Sequence, residues 1–94
     1  MPVTPVAGTN STVPSGGTAV PAAPGGVNGG FITNPATATE PLYVDPTGAN
    51  ATLGAGGTTF ALQPGQTWNL IPGQTTPTTV NAATNGHSFS CVVY

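Results

Sequence analysis

The chain has 94 residues, no lysine, no arginine, one aspartate, one glutamate and one histidine, giving a formal net charge of −2. Charged residues make up 2% of it, against roughly 25% in an ordinary globular chain. Without a basic side chain it has nothing to neutralise phosphates, so nucleic acid, anionic membrane surfaces and nucleotide clamps are excluded as partners. Gly (14), Pro (11) and the β-branched residues dominate; they interrupt every helical window and favour short strands.

Residues 1–30 contain no aromatic residue, leucine or isoleucine, but hold five prolines and seven glycines. Such a segment buries too little apolar area to offset its own ordering entropy. It is predicted to be an extended low-complexity arm, separate from a small β domain at residues 31–94. Val6, Val13, Val20 and Val27 recur every seven residues. Pro and Gly between them exclude a coiled coil, which leaves coincidence or four anchor points along an arm lying on a partner.

From residue 31 onward, short apolar runs alternate with turn signals. Phe31–Thr33 forms a first strand ended by Asn34-Pro35. Pro41–Val44 follows, with Leu42 and Val44 on one face and Tyr43 on the other. Asp45-Pro46-Thr47-Gly48 supplies a turn. Ala51–Leu53 pairs back before a glycine loop, and Phe60 and Leu62 share a face in Thr58–Gln63. Pro64-Gly65 then precedes Thr67–Ile71, which carries Trp68 and Leu70. Pro72-Gly73 precedes a strand centred on Val80. Asn85-Gly86 is the strongest hairpin signal and launches His87–Tyr94, with His87, Phe89, Cys91 and Val93 on one face. Six or seven such strands predict an all-β fold, a small antiparallel β-sandwich or barrel. The expected core is Phe31, Leu42, Val44, Phe60, Leu62, Trp68, Leu70, Val80, Phe89, Cys91 and Val93. A domain of this size is marginal alone, so self-association or docking on a larger body is expected.

The titratable stock is Glu40, Asp45, His87, Cys91 and two tyrosines. His87 and Cys91, four apart on one strand face, are separated by about 13 Å, too far for a nucleophile–base pair. Asp45 is accounted for by its turn. His87 is expected to bond a nearby backbone group, and Cys91 to be a small core residue. One Cys and one His do not make a zinc site, and no lysine follows the glycine pairs as a phosphate loop requires. No catalytic, cofactor-binding or metal-binding residue is therefore assigned. The start, MPVTPVAGTN, has neither the basic nor the apolar stretch of a signal peptide.

Three readings remain: a structural subunit of a large assembly, a small carbohydrate- or ligand-binding sandwich using Trp68 and Tyr43, and a secreted or surface-layer fragment. The stretches Glu40–Asp45, Phe60–Gln66 and Val80–Ala83 leading into Gly86-His87-Ser88-Phe89 resemble small accessory proteins encoded among tailed-bacteriophage virion genes. The resemblance spans residues 34–94. It implies a capsid decoration (cement) protein, or a head-fibre or neck subunit, assembled into virions in the host cytoplasm. The major capsid protein, other virion subunits and copies of itself would be its partners. Such proteins act through surfaces, so no functional residue carries over. The interaction residues expected are Val6, Val13, Val20 and Val27 on the arm, with Tyr43 and Tyr94 as surface contacts.

Overall fold

Turn chemistry divides the chain into pieces too short for anything but strands. Gly48, Gly65 and Gly73, at the expected turns, all adopt positive φ, a region that costs glycine little. The computed structural model describes residues 4–94. It contains ten strands: β1 Val6–Ala7, β2 Thr12–Val13, β3 Val20–Ala23, β4 Gly30–Thr33, β5 Leu42–Asp45, β6 Phe60–Leu62, β7 Thr67–Asn69, β8 Thr78–Asn81, β9 His87–Ser88 and β10 Ser90–Val93. No helix is present among the described residues.

The strands form two four-stranded antiparallel sheets, β1-β10-β4-β7 and β3-β8-β5-β6, and a two-stranded ribbon, β2-β9. Ile32 pairs with Cys91 and Trp68 in the first sheet, and Val44 pairs with Val80 and Phe60 in the second. Their inner faces share one core of Val13, Ala22, Ala23, Ile32, Leu42, Val44, Leu62, Leu70, Val80, Ala82, Phe89, Cys91 and Val93. The thinnest dimension is 19 Å, which fits two sheets about 10 Å apart and no third layer. Both sheets keep free edges, so the architecture is a sandwich and the barrel alternative falls away.

Edge strands close the two sides. On one, the Phe60 and Trp68 rings meet at 5.2 Å between centroids. On the other, the Gly8 backbone lies so close to the Ala22 carbonyl oxygen and the Cys91 side chain that a Cβ would collide with both. Thr9 N donates to that same carbonyl at 2.8 Å.

Residues 4–30 are extended, as the composition predicts, but they lie on the chain's own domain. Here β1 pairs with β10, β2 with β9 and β3 with β8. From Val6 to Thr12 the N-terminal side advances six residues while its partner advances five, from Val93 to Ser88, and the extra residue falls where the pairing breaks between the first sheet and the ribbon. Of the four spaced valines, Val13 is fully buried, Val20 and Val27 pack against the core, and Val6 is exposed at an edge. Composition does not report this outcome, because backbone pairing and small side chains (Ala22, Ala23) supply it in place of large apolar groups.

Three sequence expectations need correction. Phe31 is 36% exposed and Ile32 is fully buried, so β4 points the other way from the expected phase. Pairing fixes this: Ile32 lies opposite inward-facing Cys91. Ala51–Leu53 forms no strand; Ala51 N bonds Thr79 Oγ1 and Thr52 N bonds Thr59 Oγ1 instead. Asn85-Gly86 joins no hairpin, since β8 pairs with β3 and β5 while β9 pairs with β2. The turn carries the chain from one sheet to the ribbon, and Asn85 Oδ1 accepts from Gly16 N at 2.7 Å.

Candidate functional site

The loop after β4 and the loop before β9 form the walls of an open cleft of about 290 Å³. Thr37, Thr39, Thr84, Asn85 and Ser88 give it a hydroxyl- and amide-rich lining, with Glu40 and His87 among the lining residues. His87 is buried rather than turned to solvent. Its Nδ1 lies 3.0 Å from Glu40 Oε1 and its Nε2 lies 2.8 Å from Asn34 Oδ1. Asn34 is fully buried, and its Nδ2 donates to the carbonyls of Glu40 (3.0 Å) and Leu62 (2.9 Å). Those two bonds fix the amide, so its Oδ1 can only accept and His87 Nε2 donates to it. Glu40 also accepts from Thr84 N at 3.2 Å and Thr84 Oγ1 at 3.0 Å. The hydrogen bond from His87, reinforced by those from Thr84, holds the Glu40 carboxyl below its ordinary value of 4.5 against a smaller opposing effect of burial.

The expectation that His87 bonds a neighbouring backbone group is thus replaced by two side-chain partners, 47 and 53 residues away in sequence. No spacing rule could join them, and Asn34 reads only as a turn residue before proline. Both ring nitrogens are engaged by side chains of the fold itself.

Asp45 occupies a second polar site. The segment 46–59 roofs the outer face of the second sheet, bonding Thr79 through Ala49 and Ala51 and Asn81 through Ala51. Beneath it the buried Asp45 carboxylate accepts from Thr47 N (2.9 Å), Thr47 Oγ1 (2.6 Å), Thr58 Oγ1 (2.7 Å) and Thr59 Oγ1 (3.1 Å). Burial, the largest single influence, pushes its pKa up. The four donors together outweigh burial and leave it below the ordinary 3.8. Cys91 is buried, which pushes its thiol up to about 11. No group of three or more potential metal ligands occurs among the described residues.

The outer face of the first sheet has no such roof. Val92, Phe31 and Asn69 lie side by side across β10, β4 and β7. Tyr94 (41% exposed) and Ile71 (54% exposed) extend the apolar row at one end. The Tyr94 ring lies over Gly29, so close that a Cβ there would press on it. Of the tyrosines expected as surface contacts, Tyr94 is exposed and Tyr43 half-buried, whereas Phe60 and Trp68, expected in the core, are half-buried and pack against its edge and each other. No family model matches this chain, and no curated protein or solved structure is significantly similar to it.

Proposed function

We propose that this protein is a non-enzymatic structural subunit of a virion, of the capsid-decoration type, attached to a shell of major capsid protein through the outer face of its first sheet. The contrast between the two outer faces carries the reading. One is roofed by residues 46–59, and the other leaves Phe31, Ile71 and Tyr94 exposed beside a half-buried Val92. Neither charged side chain, Glu40 or Asp45, lies in that row. A chain without lysine or arginine, its one histidine buried, cannot offset an acidic partner, so the complementary surface is apolar and uncharged. Strand spacing puts the exposed face at about 300 Å², well short of the ~800 Å² per partner of a stable pairwise interface. One copy would bind weakly. Many copies on a regular lattice, each also touching its neighbours, would hold by multivalency, which favours decoration of a shell over an isolated dimer.

The test mixes the full chain with assembled, undecorated shells of the phage that encodes it and measures occupancy after gradient sedimentation. Phe31→Ser, Ile71→Ser and Tyr94→Ser are expected to lower occupancy at least tenfold when combined, with an unchanged circular dichroism spectrum. Undiminished occupancy, or no binding by the parent protein, would refute the proposal. The hydroxyl-lined cleft supports a second reading, a site for a neutral saccharide, which calorimetric titration with neutral oligosaccharides would test.

A further inference from the structure

The two walls of the cleft are joined by one side chain. Glu40, on the β4–β5 connection, accepts from Thr84 N, Thr84 Oγ1 and His87 Nδ1 on the opposite wall. Behind it Asn34 holds the other ring nitrogen at 2.8 Å. His87 therefore faces an acceptor on both sides, and one of them is a carboxylate. With Glu40 ionised, the contacts are complete only when both ring nitrogens carry hydrogen. Removing the Nδ1 hydrogen sets a lone pair against the carboxylate. Protonating Glu40 removes the charge that strengthens all three of its bonds.

Little else can compensate. The chain has no lysine or arginine to pair with Glu40. Asp45 is occupied by Thr47, Thr58 and Thr59 under the 46–59 roof. Opposite His87 in the ribbon stands Val13, the β4 end presents Asn34, and residues 83–86 carry no titratable side chain. Cys91 lies further along the same buried face with its thiol protonated. Glu40 is thus the one charged side chain in contact with the ring.

The ring also sits where the N-terminal segment is docked. Among the described residues β9 pairs only with β2, over two residues. Gly86 N donates to Val13 O at 2.8 Å, and Phe89 N to Ser11 O at 2.9 Å. We propose that His87, Glu40 and Asn34 form a proton-operated latch that holds the cleft walls together and keeps β2 docked. The latch is closed while His87 carries two ring hydrogens and Glu40 is ionised, and it loosens when either condition fails.

Because His87 is the sole histidine, its ring signals need no assignment by mutation. Long-range nitrogen–proton NMR on the full chain would follow both ring nitrogens from pH 4 to 9, with amide hydrogen exchange measured across the same range. The expected result is a hydrogen on both nitrogens at the acidic end. As Nδ1 loses its hydrogen, protection of the Thr84, Gly86 and Phe89 amides should fall at least tenfold after correction for intrinsic exchange. In Glu40→Gln, whose side chain cannot ionise, that fall is expected to shrink to less than threefold. A ring with a bare Nδ1 at every pH where the protein is folded would overturn the latch, as would protection that ignores the ring's titration. The measurements on the parent chain decide the matter even if the variant does not fold.

Discussion

Asp45 is a buried carboxylate with no lysine or arginine anywhere in the chain to pair with it, held by one N–H and three hydroxyls. Asp45→Asn keeps the shape and leaves one oxygen for the Thr47 N–H and hydroxyl. The amide NH₂ would then face the Thr58 and Thr59 hydroxyls, which donate to Asp45. Hydrogen bonds to an ionised acceptor contribute about 1.5–3 kcal/mol each and neutral ones about 1 kcal/mol. Weakening two of the four and inverting the other two sets the expected loss at roughly 2–4 kcal/mol near pH 7. The sign of the pH dependence follows from the depressed pKa. A carboxyl whose folded pKa lies below its unfolded value stabilises the fold above the unfolded value, and that contribution is lost as pH falls through the folded one. The parent should therefore lose its advantage over Asp45→Asn below about pH 3.8, and the two curves should converge in stronger acid. Urea denaturation at pH 7, 4 and 2.5 measures both effects. A loss under 0.5 kcal/mol at pH 7, or the same loss at every pH, would refute the view that the four donors hold an ionised group.

Phe89, buried at the junction of β9 and β10, should cost about 3–5 kcal/mol when replaced by alanine; equilibrium denaturation showing less than about 1 kcal/mol would place it outside the core. Ile32→Ala should cost about 2–4 kcal/mol and Phe31→Ala much less, because only the first faces inward, and equal losses would contradict the register of β4. Cys91 should stay unreactive toward a thiol-specific disulfide reagent at pH 8 until the protein is unfolded, since burial both hides the thiol and pushes it up to about 11; rapid labelling of the native chain would place that thiol in solvent.

Period-two alternation carried most of the second half. His87, Phe89, Cys91 and Val93 are all buried while Ser88 and Ser90 are exposed, as their alternation requires. The same rule failed at β4, where Phe31-Ile32 offers two adjacent apolar side chains and alternation cannot choose between them. Cross-strand pairing chose Ile32, the branched aliphatic that fits opposite Cys91, and left the larger ring outside. Asn85-Gly86 misled for a related reason. Its chemistry specifies a tight reversal, which the chain makes, but not the partner of the strand that follows. That partner, β2, comes from the other end of the sequence.

The N-terminal segment and the latch were hidden by one physical fact: both depend on groups that act only in company. Judged alone, residues 1–30 lack the apolar area to order themselves. Placed beside β8, β9 and β10, residues 4–30 need supply only backbone hydrogen bonds, Val13 and two alanines, because the opposing strands bring the rest of the core. Asn34, Glu40 and His87 follow the same logic. Each reads singly as a turn residue, a lone acid or a lone imidazole, and a chemistry emerges only when the sandwich brings them within 3.0 Å of one another. With so few charges in the chain, every ionised group must be satisfied by a particular neighbour. For Asp45 those neighbours are the nearby threonines of a single loop, and a turn motif gave partial notice of them. For Glu40 they are a histidine and a threonine more than forty residues away, so no local pattern could announce them.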